Sequence, residues 1–130
     1  MESSVDFIPG YGIVAYKISL TASPNNIPGN GISTSTITAQ LKDRNGNNVQ
    51  ISGVRIDLKT TGGTLSNEGP LTNTQGKAIV TLTSSTKSGV ANILAKSDSV
   101  LIPGHTQVDF TKTQPSKGIN LLQLIMGWFN

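Results

Sequence analysis

The chain has 130 residues and a net charge of +3, which is the size of one ordinary domain with, at most, a short tail. Hydrophobic residues make up only 35% and charged residues 13%, while Thr (15), Ser (14), Gly (14) and Asn (11) are abundant. Because Thr favours strands while Gly and Asn favour turns, this composition excludes a coiled coil or helical bundle for most of the chain. The absence of Cys excludes a disulfide framework, a thiolate metal site and a Cys nucleophile.

The ten basic residues are spread evenly along the sequence, without a Lys/Arg run or a basic stripe interleaved with aromatics. This distribution argues against a nucleic-acid partner. The N-terminal residues lack a basic region and are interrupted by Pro9 and Gly10, so they do not form a signal peptide. That leaves open a protein that is not secreted and an excised segment of a longer one. Residues 1–15 are predicted to be a linker or an extra edge strand.

From Tyr16 onward, apolar and polar residues alternate with the period of a half-buried strand. The first strand ends in a loop rich in turn formers, residues 23–31. The second strand covers residues 33–42, with Gln40 on its polar face, and closes at an Asn45-Gly46 turn. The remaining predicted strands cover residues 49–60, 77–85, 90–96 and 107–112.

About seven strands separated by turn signals, with no helical period between them, predict an all-β protein. The architecture is an antiparallel β-sandwich over residues 16–112, with a small barrel as the structural alternative. Gly53 within the third strand predicts a bulge or bend. The residues expected to form the core are Ile37, Leu41, Ile56, Leu58, Val80, Leu82, Ile93 and Phe110.

Residues 113–130 form an apolar tail whose composition suits a helix. Its apolar part, residues 119–130, is too short for a bilayer span, which needs about 20 residues. Three interpretations stay open: the start of a truncated membrane segment or neighbouring domain, a short helix docked on a partner or membrane surface, and an element packed on its own domain. A docking segment would use Leu121, Leu124, Ile125, Trp128 and Phe129.

Six short motifs follow one another in a fixed order: ISTSTITAQLKD (32–43), NGN (45–47), TTGGTLS (60–66), TNTQGKA (72–78), VTLTS (80–84) and GVA (89–91). In this order they resemble the bacterial Ig-like domain group 1, the repeated module of invasin- and intimin-type adhesins and other prokaryotic surface proteins. The resemblance covers residues 18–111. Two positions depart from the family pattern, since residues 48–51 lack a Pro-Val-Pro-like sequence and Asn73 stands where Asp is frequent.

The resemblance implies an Ig-like antiparallel β-sandwich and a structural or adhesive role at a cell surface or outside the cell. It also implies neighbouring Ig-like domains in a longer chain. It supplies no catalytic, cofactor or metal residues, and no enzyme activity is expected.

The residues themselves favour no catalytic chemistry either. Asp43, Asn45 and Asn47 alternate like the start of a calcium loop, but Gly46 stands fourth and Val54 twelfth, which favours a hairpin turn. His105, the single histidine, follows Pro103-Gly104 and is expected in an exposed loop.

The predicted function is therefore a rigid spacer that presents a binding tip, with polar loops near 24–31 and 103–106 meeting neighbouring domains. One alternative is a recognition module that binds glycan or host protein through its loops. Against glycan stacking, the strand region offers no exposed aromatic except Tyr16 at its edge. The other alternative is a virion or sheath assembly domain that docks through its C-terminal tail.

Overall fold

The computed structural model describes residues 13–113, which form nine strands and, within that range, no helix. Strand formation follows the Thr-rich alternating segments, where branched side chains pack well on a pleated surface. In chain order the strands are β1 (Ala15–Ser23), β2 (Asn26–Pro28), β3 (Thr34–Lys42), β4 (Asp57–Thr60), β5 (Thr64–Leu65), β6 (Lys77–Thr83), β7 (Gly89–Lys96), β8 (Val100–Ile102) and β9 (Gly104–Thr111).

Two sheets pack face to face, as the sequence predicts for a sandwich. The first has the order β5-β6-β3-β1-β8 and the second β2-β9-β7-β4. Most neighbours are antiparallel, but β1 with β8 and β2 with β9 are parallel pairs. The chain changes sheets between β8 and β9 at Pro103, a residue that has no N–H to donate to a ladder. The sandwich is therefore mixed rather than purely antiparallel.

The alternating pattern correctly assigns the buried face of each long strand. In the first sheet Ile18 lies opposite Leu41, and Ile37 lies opposite Val80. All eight residues predicted for the core are at most 4% exposed, while Ile79, which points outward from β6, is 54% exposed. Gln40 is an exception, because it was expected on the polar face and is buried. Its Nε2 donates to the carbonyl oxygens of Gln75 and Gly76, so the buried amide has partners.

The third predicted strand is wrong over residues 49–56, which run irregularly before β4 begins at Asp57. Gly53 has a positive φ of 81°, which breaks the extended path. Val54 and Ile56 are nevertheless buried, as the alternation predicts. The N–H of Ile56 donates to the carbonyl of Pro70, and the N–H of Thr72 donates to the carbonyl of Val54. These bonds close the side of the sandwich between β4 and β5.

Two predicted loops contain strand residues. β2 lies inside the predicted loop 23–31, and its central Ile27 is buried beside Phe110. In the segment 103–106, only Pro103 is a connection, because Gly104 begins β9. The carbonyl of Ile18 lies so close to Gly104 that a side chain would not fit there, which explains the glycine at this crossing.

The described chain enters the sandwich at one end and leaves it at the other. β1 starts beside Val100 and pairs Lys17 with Lys42, so residues 13–16, 43–49 and 97–101 define the N-terminal end. β9 finishes at Thr111, whose carbonyl accepts the N–H of Gly29. Residues 24–33, 84–89 and 111–113 define the C-terminal end. β1 alone, with nine residues, separates the two ends by about 30 Å.

Replacing Leu58 with Ala should lower the free energy of unfolding by about 2–5 kcal/mol, because the side chain is 2% exposed and its loss leaves a cavity. Ile79→Ala, on the outer face of β6, is the matched control and should cost no more than about 1 kcal/mol. Urea unfolding of the full chain measures both. A loss below about 1 kcal/mol for Leu58→Ala would reject the packing described for β4.

Gly76→Ala should destabilise the domain far more than Gly46→Ala. Both glycines have positive φ (74° and 86°), so both substitutions carry a backbone cost of about 1–2 kcal/mol. A Cβ at Gly76 would collide with the carbonyl of Val49, whereas nothing lies within 4 Å of one at Gly46. The collision should add about 1–3 kcal/mol. Equal unfolding free energies for the two variants would show that residue 76 is not held against residue 49.

Candidate functional site

The outer face of the four-stranded sheet carries a shallow cleft of about 760 Å³. Two rows of side chains line this cleft, because the pairing of β4, β7 and β9 sets residues of neighbouring strands side by side. Lys59, Leu94 and His105 are directly opposite one another in the first row. Asn92 pairs with Gln107 in the second row, next to Thr61, whose N–H donates to the carbonyl of Asn92.

The floor of the cleft is apolar and its second row is polar. Leu94 is half-buried at the centre, with Lys59 and His105 exposed on either side. In the second row, the Nε2 of Gln107 donates to the Oδ1 of Asn92 over 2.7 Å, which fixes both amides. This arrangement can hold an apolar group on Leu94 and exchange hydrogen bonds with it along one edge. The alternation of β7 placed Leu94 outward, but nothing in the sequence showed that its neighbours would form a cleft.

His105, expected in a loop, instead lies on β9, with the exposure that was expected. Among residues 13–113, no group of three or more His, Cys, Asp or Glu side chains could hold a metal ion. No helix in the described part of the chain is long and apolar enough to cross a membrane.

The N-terminal end carries a second concavity, of about 480 Å³, lined by apolar side chains and Tyr16 together with the charged residues Asp43 and Arg44. Leu101 is 58% exposed there, and Ile13 lies beside it. The guanidinium of Arg44 sits 4.5 Å from the ring centroid of Tyr16, a cation–π contact. Tyr16, the edge aromatic considered for glycan stacking, is therefore already covered by Arg44 on one face.

The turn at this end matches the predicted hairpin interpretation of Asp43, Asn45 and Asn47. The Oδ1 of Asp43 accepts the backbone N–H of Asn45 at 2.9 Å and that of Asn47 at 2.8 Å. Gly46 supplies the positive φ that closes the turn. The carboxylate is thus used within the loop itself, as in an Asx-turn.

These bonds stabilise the charged form of Asp43. The backbone N–H of Asn47 is the largest cause that lowers the pKa of this carboxyl below its ordinary value of 3.8, and the side chain of Asn47 and the N–H groups of Asn45 and Gly46 act in the same direction. Desolvation opposes the shift without reversing it.

The depressed pKa sets the pH dependence of this turn. The hydrogen bonds to the ionised carboxylate of Asp43 stabilise the folded domain fully above pH 3.8. This contribution is lost as the pH falls through the lower pKa of the folded state. An NMR titration of the Asp43 carboxyl carbon should give a midpoint below 3.8, and the amide signals of Asn45 and Asn47 should move with it. In Asp43→Asn those amides should stop responding in this range. A midpoint at or above 3.8 would contradict the bonding described.

The C-terminal end is built from polar loops. The Oδ1 of Asn30 accepts the N–H groups of Ile32 and Ser33, and the Oγ of Ser84 lies 3.3 Å from it. Ile32 is 78% exposed beside this network. The predicted docking residues Leu121, Leu124, Ile125, Trp128 and Phe129 follow this end of the chain and lie outside the described residues.

Comparison with known proteins agrees with this geometry. A family model described as "Invasin, domain 3" matches residues 15–113. Among solved structures, the D0-D1 domains of intimin are 30% identical with a TM-score of 0.59, covering 72% of this chain and 48% of that one. Yersinia pseudotuberculosis adhesin InvE is 30% identical with a TM-score of 0.60, covering 73% and 26%. No curated protein matches the chain.

A third structure, invasin, described as a bacterial integrin-binding protein, is 29% identical with a TM-score of 0.58 and coverages of 74% and 19%. A glycosyl hydrolase family 2 protein from Bacteroides cellulosilyticus, at 20% identity and a TM-score of 0.63, shares the fold alone. The chain spans about half or less of the length of all these structures.

The two packed sheets and these neighbours define the class as a bacterial Ig-like β-sandwich domain of the invasin and intimin type. Within that class, the chain belongs to the invasin domain 3 family.

Proposed function

We propose that this domain is a non-catalytic spacer module of a bacterial cell-surface adhesin, where it holds a binding tip away from the envelope. The observation that carries the proposal is where the described part of the chain enters and leaves the sandwich. Ile13 and Thr113 lie at opposite ends of it, about 30 Å apart. A domain built this way adds its full length to a tandem array.

The strand directions suit a domain that bears tension. β1 and β9 both run from the N-terminal end towards the C-terminal end, and each has a parallel partner, β8 and β2. A pull on residues 13 and 113 is therefore directed along these strands, so that the hydrogen bonds of each ladder are loaded together. A pull across a hairpin opens its bonds one at a time and needs less force.

The two ends offer different surfaces to neighbouring domains. The N-terminal end exposes Leu101 and Ile13 beside a concavity, which suits an apolar contact with a preceding domain. At the C-terminal end, the network around Asn30 and Ser84 holds a polar loop in place. The segment 103–106, expected to meet a neighbour, contains the crossing from β8 into β9. We assign the contact with a preceding domain to the turn at residues 43–48 instead, because this turn follows Lys42, which pairs with Lys17 near the start of β1.

The family supports a role in adhesion. Intimin and invasin contain domains of this kind, and invasin is described as integrin-binding, while a fragment of intimin is known in complex with the translocated intimin receptor. We extend to this chain the cell-surface location and the place beside other Ig-like domains. We do not assign binding of integrin or of the translocated intimin receptor to this chain, because it matches only a part of each protein.

Glycan recognition has less support. The described residues that line the cleft on the four-stranded sheet include no Trp, Tyr or Phe, the side chains on which sugar rings stack. Among the described residues Tyr16 is the aromatic nearest such a role, and Arg44 covers it.

Single-molecule pulling tests the spacer function. The chain has no Cys, so single attachment points can be introduced with Ile13→Cys and Thr113→Cys. Pulled between these points, the domain should unfold at a severalfold higher force than when pulled between Ile13→Cys and Asn45→Cys. Residues 13 and 45 lie at the same end of the sandwich, so a pull between them peels β1 from β3. Unfolding by force reports the unfolding rate, which end-to-end loading should keep low.

Similar rupture forces in the two directions would contradict a load-bearing spacer. Urea unfolding of both doubly substituted chains, without load, is the control that separates direction from stability.

A further inference from the structure

Two Asn-Gly pairs lie in surface loops of the sandwich, Asn30-Gly31 at its C-terminal end and Asn45-Gly46 at its N-terminal end, and both Asn residues are exposed. These are the only places in the sequence where Gly follows Asn. Because glycine has no Cβ, its backbone nitrogen can closely approach the side-chain amide of the preceding Asn. The two pairs are chemically equivalent in sequence, but their hydrogen bonds in the fold differ.

Asn30 is held through its side chain. Its Oδ1 accepts the N–H of Ile32 at 3.0 Å, the N–H of Ser33 at 2.8 Å and the hydroxyl of Ser84 at 3.3 Å. The N–H of Gly31 donates to the Oγ of Ser84 and to the carbonyl of the residue that follows it, each over 3.1 Å. Both members of this pair are therefore fixed to a strand connection that is distant in sequence.

Asn45 is held through its backbone. Among the bonds that the described residues make within this turn, Asn45 contributes only its N–H, which donates to the Oδ1 of Asp43 at 2.9 Å. The N–H of Gly46 donates to the carbonyl of Asp43 at 3.1 Å. Releasing Gly46 therefore requires movement within the turn, without separating it from a distant strand.

We propose that Asn45 is a site of spontaneous deamidation in the folded domain and that the fold protects Asn30 from the same reaction. The backbone nitrogen of Gly46 attacks the Cγ of Asn45 and closes a cyclic imide. The side-chain nitrogen leaves as ammonia, carrying the proton that the Gly46 nitrogen gives up. Water then opens the imide at either carbonyl, which leaves aspartate or isoaspartate at position 45. Water is the only other reactant, and ammonia is the only other product.

Hydrogen bonding sets the difference in rate between the two pairs. Ring closure requires the Cγ of the Asn to reach bonding distance of the glycine nitrogen, whose N–H must leave its acceptor. Local opening of the exposed turn allows this at Asn45. At Asn30 the same movement also withdraws Oδ1 from two backbone donors and separates Gly31 from Ser84. These additional bonds raise the barrier, so Asn30 should react at least about tenfold more slowly.

Deamidation would change the charge and the backbone of the N-terminal end. A carboxylate at position 45 adds a negative charge close to that of Asp43. Isoaspartate also inserts a methylene into the backbone between Asp43 and Asn47, whose N–H donates to the same carboxylate. Both changes act beside Arg44, which covers Tyr16. The proposal does not rest on the spacer role, although the altered turn is the one assigned to contact a preceding domain.

Peptide mapping by mass spectrometry of the full chain, aged at mildly alkaline pH, tests the proposal. In the folded chain, conversion at Asn45 should be at least about tenfold faster than at Asn30. In concentrated urea, where neither loop is folded, the two rates should be similar. Gly46→Ala should suppress conversion at Asn45, because the added methyl group crowds the attacking nitrogen, and should leave the rate at Asn30 unchanged.

Ser84→Ala tests the cause of the protection. It removes a hydroxyl that bonds both Asn30 and Gly31, so conversion at Asn30 should become severalfold faster while the rate at Asn45 stays the same. Ser66→Ala is the matched control, because it removes a hydroxyl that accepts the N–H of Thr81 on another strand. It should change neither rate.

Equal rates at Asn30 and Asn45 in the folded chain would overturn the proposal, as would an Asn45 that converts in urea but not in the folded chain. An unchanged rate at Asn30 in Ser84→Ala would show that these hydrogen bonds do not protect it. Thermal unfolding by circular dichroism confirms that each variant is folded, and the pulling experiment tests the spacer role separately.

Discussion

The structure depends on one constraint. Because side chains alternate along each strand, each sheet has one apolar face, and the apolar faces of the two sheets must pack against each other. Ile37, Leu41 and Ile56 are completely buried between the sheets, and Leu58 and Ile93 nearly so. Because the side-chain period of a strand is two, a slip of one residue would turn each of these side chains to water. Register, sheet order and the positions of the ends all follow from satisfying this contact.

Sequence alone predicted the buried faces well, because alternation is a local property. Every residue expected in the core is buried, including Ile56, which does not belong to a strand, and Val54 on the same predicted face is buried too. The pairing of β2 with β9 could not be predicted, since Ile27 is a single apolar residue among turn formers and its partner Phe110 is distant in sequence. Gln40 was also misplaced, because its burial depends on backbone carbonyls at residues 75 and 76 that a distant loop supplies.

The candidate surfaces were harder to predict than the core. A cleft requires neighbours on three strands, so Leu94 gained significance only when Lys59 and His105 were placed beside it. The Asp43 turn, in contrast, was predictable from its own residues, since every hydrogen bond to its carboxylate comes from the next few positions. The same division applies to function: the family follows from ordered local motifs, while the spacer proposal depends on where strands place distant residues.

Native-state hydrogen exchange measures most directly whether the two sheets form one cooperative unit, on which the spacer account rests. The slowest amides of β3 and β6 in one sheet and of β7 and β9 in the other should exchange with a common free energy, equal to that of global unfolding. A distinctly lower free energy for one whole sheet would show that the sheets open separately, and a domain of that kind could not transmit load from one end to the other.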